Sequence, residues 1–385
     1  MHHEPEQILS THVGSLPRSA ELLPFYEARE AGEETDTEAF QHAVASATEA
    51  VVEQQHGAGI DIASHGEQGR PSFVTYAVER LTGFDGAVPA VQWADLEAYP
   101  EYAQQVPTFS DWSDPDTTIP AATGEISYRG TEQVRAEIDR FDAAVETTGT
   151  TFEDRFITAA SPGAIASYIG NEYYSTHREY LAAVASAMQT EYELIADAGF
   201  TLQIDAPDLL GGNHLKFKDQ SEAAFVETAR AHIEALNNAL RNVPADQVRM
   251  HVCWGNYEGP HQHDIPLDSV LPELYEADIS GLLVEQATPR HRHEYELFNE
   301  YGIPDDWLLI PGVIDVNSNA IEPPAVVADR IEQFVAAVGD PAPVHAGADC
   351  GLGTFADFGA VHPPIAWEKL ASLAAGAELA TDRLY

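Results

Sequence analysis

The chain has 385 residues, 63 acidic and 19 basic, with a net charge of −44; this repels nucleic acid and anionic membrane, and no apolar run approaches the roughly 18 residues of a membrane span. Hydrophobic residues make up 44% of the chain, enough for a core, so the charge is expected on a folded surface rather than in a disordered tail. With only three lysines, Lys216, Lys218 and Lys369, such a surface is suited to staying hydrated in high salt, and the expected setting is the cytoplasm of a halophile.

In chain order, strand-like runs fall at 8–13, 60–65, 155–160, 201–205, 248–253, 281–285, 308–314 and 344–349. Apolar residues at helical spacing mark 37–56, 176–198 and 221–240 between them. Alternating β and α segments predict a parallel sheet, and eight such units predict an α/β protein of the closed (β/α)8 TIM-barrel type, with residues 1–385 as one domain. The stretch at about 84–150 is longer than a connection between the second and third strands requires. It holds a hairpin-like run at 123–130 and an acidic helix, and is expected to be an insertion within the barrel.

Barrels of this kind carry their active sites at the C-terminal strand ends, where Ser15, Glu67, Asp205, His251 with Cys253, Glu285, Asn317 and Cys350 fall. The chain has only two cysteines. His251 and Cys253 sit two apart, on one face of a strand, while Cys350 follows another strand and Glu285 ends a third. One nitrogen, two sulfurs and one oxygen suit Zn²⁺ far better than Mg²⁺ or Ca²⁺. The cysteines alternatively form a disulfide, sit inert in the core or hold a closed structural zinc. The absence of a signal-peptide-like start argues against the disulfide, and ligands drawn from three separated segments favour a site assembled for chemistry. Two thiolates and a carboxylate would leave a bound zinc site near −1. Such a shell makes a poor hydrolytic centre but keeps a bound thiol deprotonated and electron-rich, which favours methyl or alkyl transfer to sulfur. His12 and His65, at strand ends, also fit the role of satisfied core polar groups.

The residues then resemble the catalytic barrel of the cobalamin-independent methionine synthase family over nearly the whole chain. The run Thr11-His12-Val13-Gly14-Ser15-Leu16-Pro17-Arg18 looks like the element that holds the substrate carboxylate. His65-Gly66-Glu67 and Gln203-Ile204-Asp205-Ala206-Pro207 are similar to the segments whose carboxylates bind the homocysteine amino group. His251, Cys253, Glu285 and Cys350 line up with the family's zinc ligands. The resemblance implies substrate-binding roles for Ser15, Glu67, Asp205, His12 and Arg18, and a small-molecule thiol acceptor, most simply homocysteine. It also implies a methyl donor, whether folate, methylcobalamin or a corrinoid protein.

Two departures stand out. Nothing here corresponds to the second, N-terminal barrel of the folate-dependent enzymes. Where the family carries a histidine that protonates the leaving group, this chain reads Asp315-Val316-Asn317-Ser318-Asn319, and asparagine supplies no proton near neutral pH, so the catalytic acid is unassigned. The run at 254–266 looks more like a single-barrel branch that includes epoxyalkane:coenzyme M transferase. An alkyltransferase of that type, using Arg18 and Arg70 to hold a sulfonate, is one alternative, and a non-catalytic zinc-binding protein is another.

Overall fold

The computed structural model describes residues 6–105, 117–356 and 359–385. Among the described residues there are ten strands: β1 (Ile62–Ser64), β2 (Gly86–Pro89), β3 (Thr118–Ala122), β4 (Asp154–Ala160), β5 (Gly170–Asn171), β6 (Thr201–Asp205), β7 (Val248–Val252), β8 (Gly281–Val284), β9 (Leu308–Ile314) and β10 (Gly347–Ala348). Seven pair in parallel in the order β1-β4-β6-β7-β8-β9-β10. The segment around Ser10 and Thr11 closes the ring: Ser10 bridges in parallel to Ala346 beside β10, and Thr11 to Ile62 of β1. The Thr11 amide donates to the Ala346 carbonyl at 2.8 Å and the Ile62 amide to that of Ser10 at 3.0 Å. Seven of the eight expected strands are thus present, and the first is represented by two isolated bridges that complete a TIM-barrel arrangement.

The outer helices form where apolar spacing meets capping chemistry. Helix Thr37–Gly57 starts at Asp36, whose carboxylate accepts the Glu38 and Ala39 amides; it buries Val51 and Val52 in the main core, and Phe40 and Val44 in a smaller cluster with Leu22 and Tyr26. Each such side chain contributes about 1.5–3 kcal/mol on leaving water. Helix His177–Asp197 opens with a Thr176/Glu179 capping box, and Glu222–Leu240 with Ser221. No helix among the described residues is long and apolar enough to cross a membrane.

Within the stretch at 84–150, the acidic helix runs Thr131–Thr148 and packs against Thr37–Gly57 and His177–Asp197 as part of the outer layer. Before it, β2 and β3 pair antiparallel, and β3 pairs in parallel with β5 in a separate small sheet. The hairpin expected at 123–130 is absent. That segment instead crosses residues 81–83, with a bridge from Tyr128 to Leu81, because Gly83 and Gly124 let the two backbones approach: a Cβ on Gly83 would lie 2.8 Å from the Gly124 and Glu125 carbonyl oxygens.

Candidate metal and substrate site

Strand alternation points Arg249, His251 and Cys253 to one face of β7 and its continuation, into the barrel. Cys350 arrives from the turn after β10, with its Sγ 4.0 Å from that of Cys253. One donor atom each from His251, Cys253 and Cys350 lie within 4.8 Å of one another. Both cysteines are free, and neither ring nitrogen of the buried His251 has a hydrogen-bond partner among the described residues. Leaving such nitrogens unsatisfied costs about 1–3 kcal/mol, which a metal bond would offset. Two sulfurs bound to one tetrahedral zinc at about 2.3 Å stand roughly 3.8 Å apart. The donor set and the spacing therefore fit zinc. The pair behaves as a thiol donating to a thiolate: the hydrogen bond from Cys350 holds Cys253 well below the usual thiol range, and the same bond holds Cys350 well above it.

Glu285 stands beside this group rather than within it. Its Oε1 pairs with the Arg290 guanidinium, and its Oε2 accepts the Trp254 amide at 3.4 Å. Asp349, which sequence analysis missed, ties the two loops together. Its Oδ1 accepts the Gln286 and Ala287 amides at 2.8 and 2.7 Å and its Oδ2 the Thr288 amide at 3.1 Å, so the residue before Cys350 holds the residues after Glu285. Its position next to a ligand was the available signal, but a carboxylate that binds backbone amides has no sequence signature.

The sulfurs face a cleft of about 1050 Å³ that is also bordered by Ser15, Glu67, Asp205 and His251 and walled on one side by β3. Gly351 leaves room for Ser15, since a Cβ there would lie 1.9 Å from the serine oxygen. Glu67 takes a left-handed φ of 56°, and its amide donates to His65 Nδ1 at 2.8 Å. Glu67 Oε1 accepts from Thr158 Oγ1 at 2.7 Å, while Oε2 is buried without a partner among the described residues. Asp205 Oδ1 accepts from Gln203 Nε2 at 2.8 Å. Burial, with the Glu67 charge adding to it, raises Asp205 to about 7. Two carboxylates that border one cleft, the charge of one raising the proton affinity of the other, have the charge to suit a cation.

His12, Arg18 and Asn317 do not border this cleft. His12 Nε2 bonds Gln55 at 2.8 Å and its Nδ1 accepts the Gly14 amide at 3.1 Å; burial lowers it to about 4, so it stays neutral. His65 is likewise lowered by burial, to about 3. The Arg18 guanidinium donates to the carbonyls of Leu16, Gly66, Gly353 and Arg70, pinning three loops. The structure thus places His12 and Arg18, expected to bind substrate, away from the cleft lining: His12 is engaged by the Gln55 side chain and the Gly14 amide, and Arg18 by backbone carbonyls. The Asn317 amide bonds Asp315 Oδ1 at 2.8 Å in a local turn.

Residues 8–118 and 163–361 match the family of cobalamin-independent synthase catalytic domains. A methionine synthase of Saccharolobus solfataricus is 28% identical over 378 residues, covering 97% of this chain and 95% of its own. One from Thermococcus kodakarensis is 27% identical over 373 residues, covering 97% and 93%. Among solved structures, a B12-independent methionine synthase from Shewanella sp. W3-18-1 in complex with selenomethionine superposes with a TM-score of 0.72 at 20% identity, covering 100% of this chain and 99% of that one.

Proposed function

The chain belongs to the cobalamin-independent synthase catalytic-domain family, and from that premise we propose that it is a zinc-dependent methyltransferase that methylates a small-molecule thiol, homocysteine. The observation that carries this is one cleft bordered at once by His251, Cys253 and Cys350 and by the Glu67/Asp205 carboxylates. The first group suits a soft metal, and the second suits an ammonium.

In this proposal His251, Cys253 and Cys350 hold zinc, and Glu285 completes the set by leaving Arg290. Zinc in that anionic shell supplies the charge that keeps an incoming thiol deprotonated while leaving its sulfur nucleophilic. Glu67 and Asp205 bind the ammonium and so orient the sulfur toward the donor, and Ser15 lies within reach of the substrate's other polar end. A sulfur–carbon bond forms as the donor–methyl bond breaks, with its electron pair leaving on the donor, which is a folate, methylcobalamin or a corrinoid protein. The surroundings of Arg18 and Arg70 favour an amino acid over a sulfonate acceptor: Arg18 is bonded to carbonyls, and Arg70 is paired with Glu137. An open cleft against both sulfurs supports turnover over mere zinc binding.

The test is incubation of zinc-loaded protein in molar salt with homocysteine and each donor, followed by product mass. Methionine formation that depends on zinc is the expected result; its absence with every donor contradicts the assignment.

A further inference from the structure

The two cleft carboxylates are held in the same way by Thr158 of β4 and Gln203 of β6, which are paired across the two strands. Arg70, 1% exposed, grips Glu137 through Nε and Nη2, both at 2.8 Å, and donates from Nη1 to Thr158 Oγ1 at 3.0 Å. A guanidinium has only donors, so the threonine oxygen must accept from Arg70, and its single hydrogen goes to Glu67 Oε1. Arg249, also 1% exposed and stacked 3.8 Å over the Phe156 ring, donates from Nε to Gln203 Oε1 at 2.9 Å. That contact fixes which way the Gln203 amide faces. Its NH₂ must then point away, and it donates to Asp205 Oδ1 and to the Val13 carbonyl.

In both relays a guanidinium, which has donors and no acceptor, sets the direction of a neutral group that holds one oxygen of a carboxylate. Gly14 leaves room for the first relay, since a Cβ there would lie 2.4 Å from Thr158 Cγ2 and 3.2 Å from Glu67 Oε1. Neither relay group can reverse without leaving a buried guanidinium N–H unpaired, a cost that keeps both carboxylates pre-oriented.

We infer that Thr158 and Gln203 are positioning residues that turn the free oxygens of Glu67 and Asp205 toward a bound ammonium, and that they make the protein select thiols carrying an α-amino group over otherwise identical thiols without one. This rests on the thiol-methyltransferase assignment above.

The experiment uses the full chain loaded with Co²⁺ in molar salt, titrated with homocysteine and with 4-mercaptobutanoate, its counterpart lacking the amino group, and followed by thiolate-to-cobalt absorption. The ratio of the two dissociation constants reports the ammonium site separately from the metal site. Thr158→Val removes the hydroxyl at nearly constant volume and should lower the preference for homocysteine about tenfold, the scale of weakening one hydrogen bond to a charged group. Thr158→Ser should restore it. Gln203→Glu keeps an acceptor for Arg249 but replaces the donor facing Asp205, and should lower the preference at least as much; it decides the matter if the valine variant does not fold. A ratio within twofold of wild type in the folded variants overturns the inference, as does a drop that serine fails to rescue, which marks a packing effect. No thiol-induced band in the wild type overturns the methyltransferase assignment and this inference with it.

Discussion

The two sides of the cleft are built on opposite principles. On the metal side His251, Cys253 and Cys350 converge within 4.8 Å, and the imidazole has no hydrogen-bond partner among the described residues. On the carboxylate side each acidic group is anchored by a hydrogen-bonded chain reaching back to a buried arginine. A soft ion supplies its own strong, directional bonds, so its ligands need only be brought near one another. An ammonium donates hydrogen bonds that compete with those it makes to water, so its receptor must be fixed in advance. The metal side should therefore fail all at once when a ligand is lost, and the carboxylate side by degrees.

The largest effect is expected from the cysteines. Cys253→Ser or Cys350→Ser should abolish stoichiometric zinc binding with little change in folding, because serine nearly keeps the volume of cysteine against the core it touches; metal analysis beside a melting curve checks both halves. Full zinc occupancy in both variants would break the comparison. Glu67→Gln should weaken homocysteine by about 1.5–3 kcal/mol, roughly ten- to a hundredfold in kcat/KM, while a thiol without the amino group loses much less. Equal losses for both thiols would place Glu67 in the metal site instead.

Acidity gives a subtler effect. Asp205 sits at about 7, above its ordinary 3.8, so below that pH it is protonated and cannot balance an ammonium. The preference for homocysteine over its des-amino counterpart should fall as pH drops through about 7, by at most about tenfold per unit for one proton. The ratio cancels the ionisation of the thiol itself. Because the shift is upward for an acid, this group costs the ligand-free fold stability as pH rises from the ordinary carboxylate range through about 7; homocysteine should recover that stability at neutral pH. A pH-independent ratio would remove Asp205 from the receptor. The smallest effect concerns the molecule as a whole. At a net charge of −44, self-repulsion should lower the melting temperature in dilute buffer, and molar salt should raise it by several degrees. No rise would contradict the halophilic reading of the composition.

The barrel was legible because buried parallel strands are continuous apolar runs, and the metal side because a chain with two cysteines advertises them. The carboxylate side was half legible. Glu67 and Asp205 stood at strand ends, but their supports lay in plain view unread: Gln203 is two residues before Asp205 and Arg249 two before His251, the strand period that puts each pair on one face. Thr158 sits inside the apolar strand β4, where a hydroxyl signals only that some partner exists. The surroundings of His12 and Arg18 were not legible, because a polar residue near a strand end is as readily bonded to a neighbouring side chain or loop backbone as to a ligand, and only the fold decides which. The pairing of Glu285 with Arg290 was hidden for a similar reason, since it depends on a loop conformation.

The central claim is that the cleft joins a sulfur-rich zinc site to an ammonium receptor. X-ray absorption at the zinc edge tests it most directly, on the full chain in molar salt with and without homocysteine. The account predicts a resting shell containing the sulfurs of Cys253 and Cys350 and one further sulfur when homocysteine is added, with a weaker gain for Glu67→Gln at the same thiol concentration. A shell without sulfur, or a sulfur count that homocysteine leaves unchanged, would contradict it.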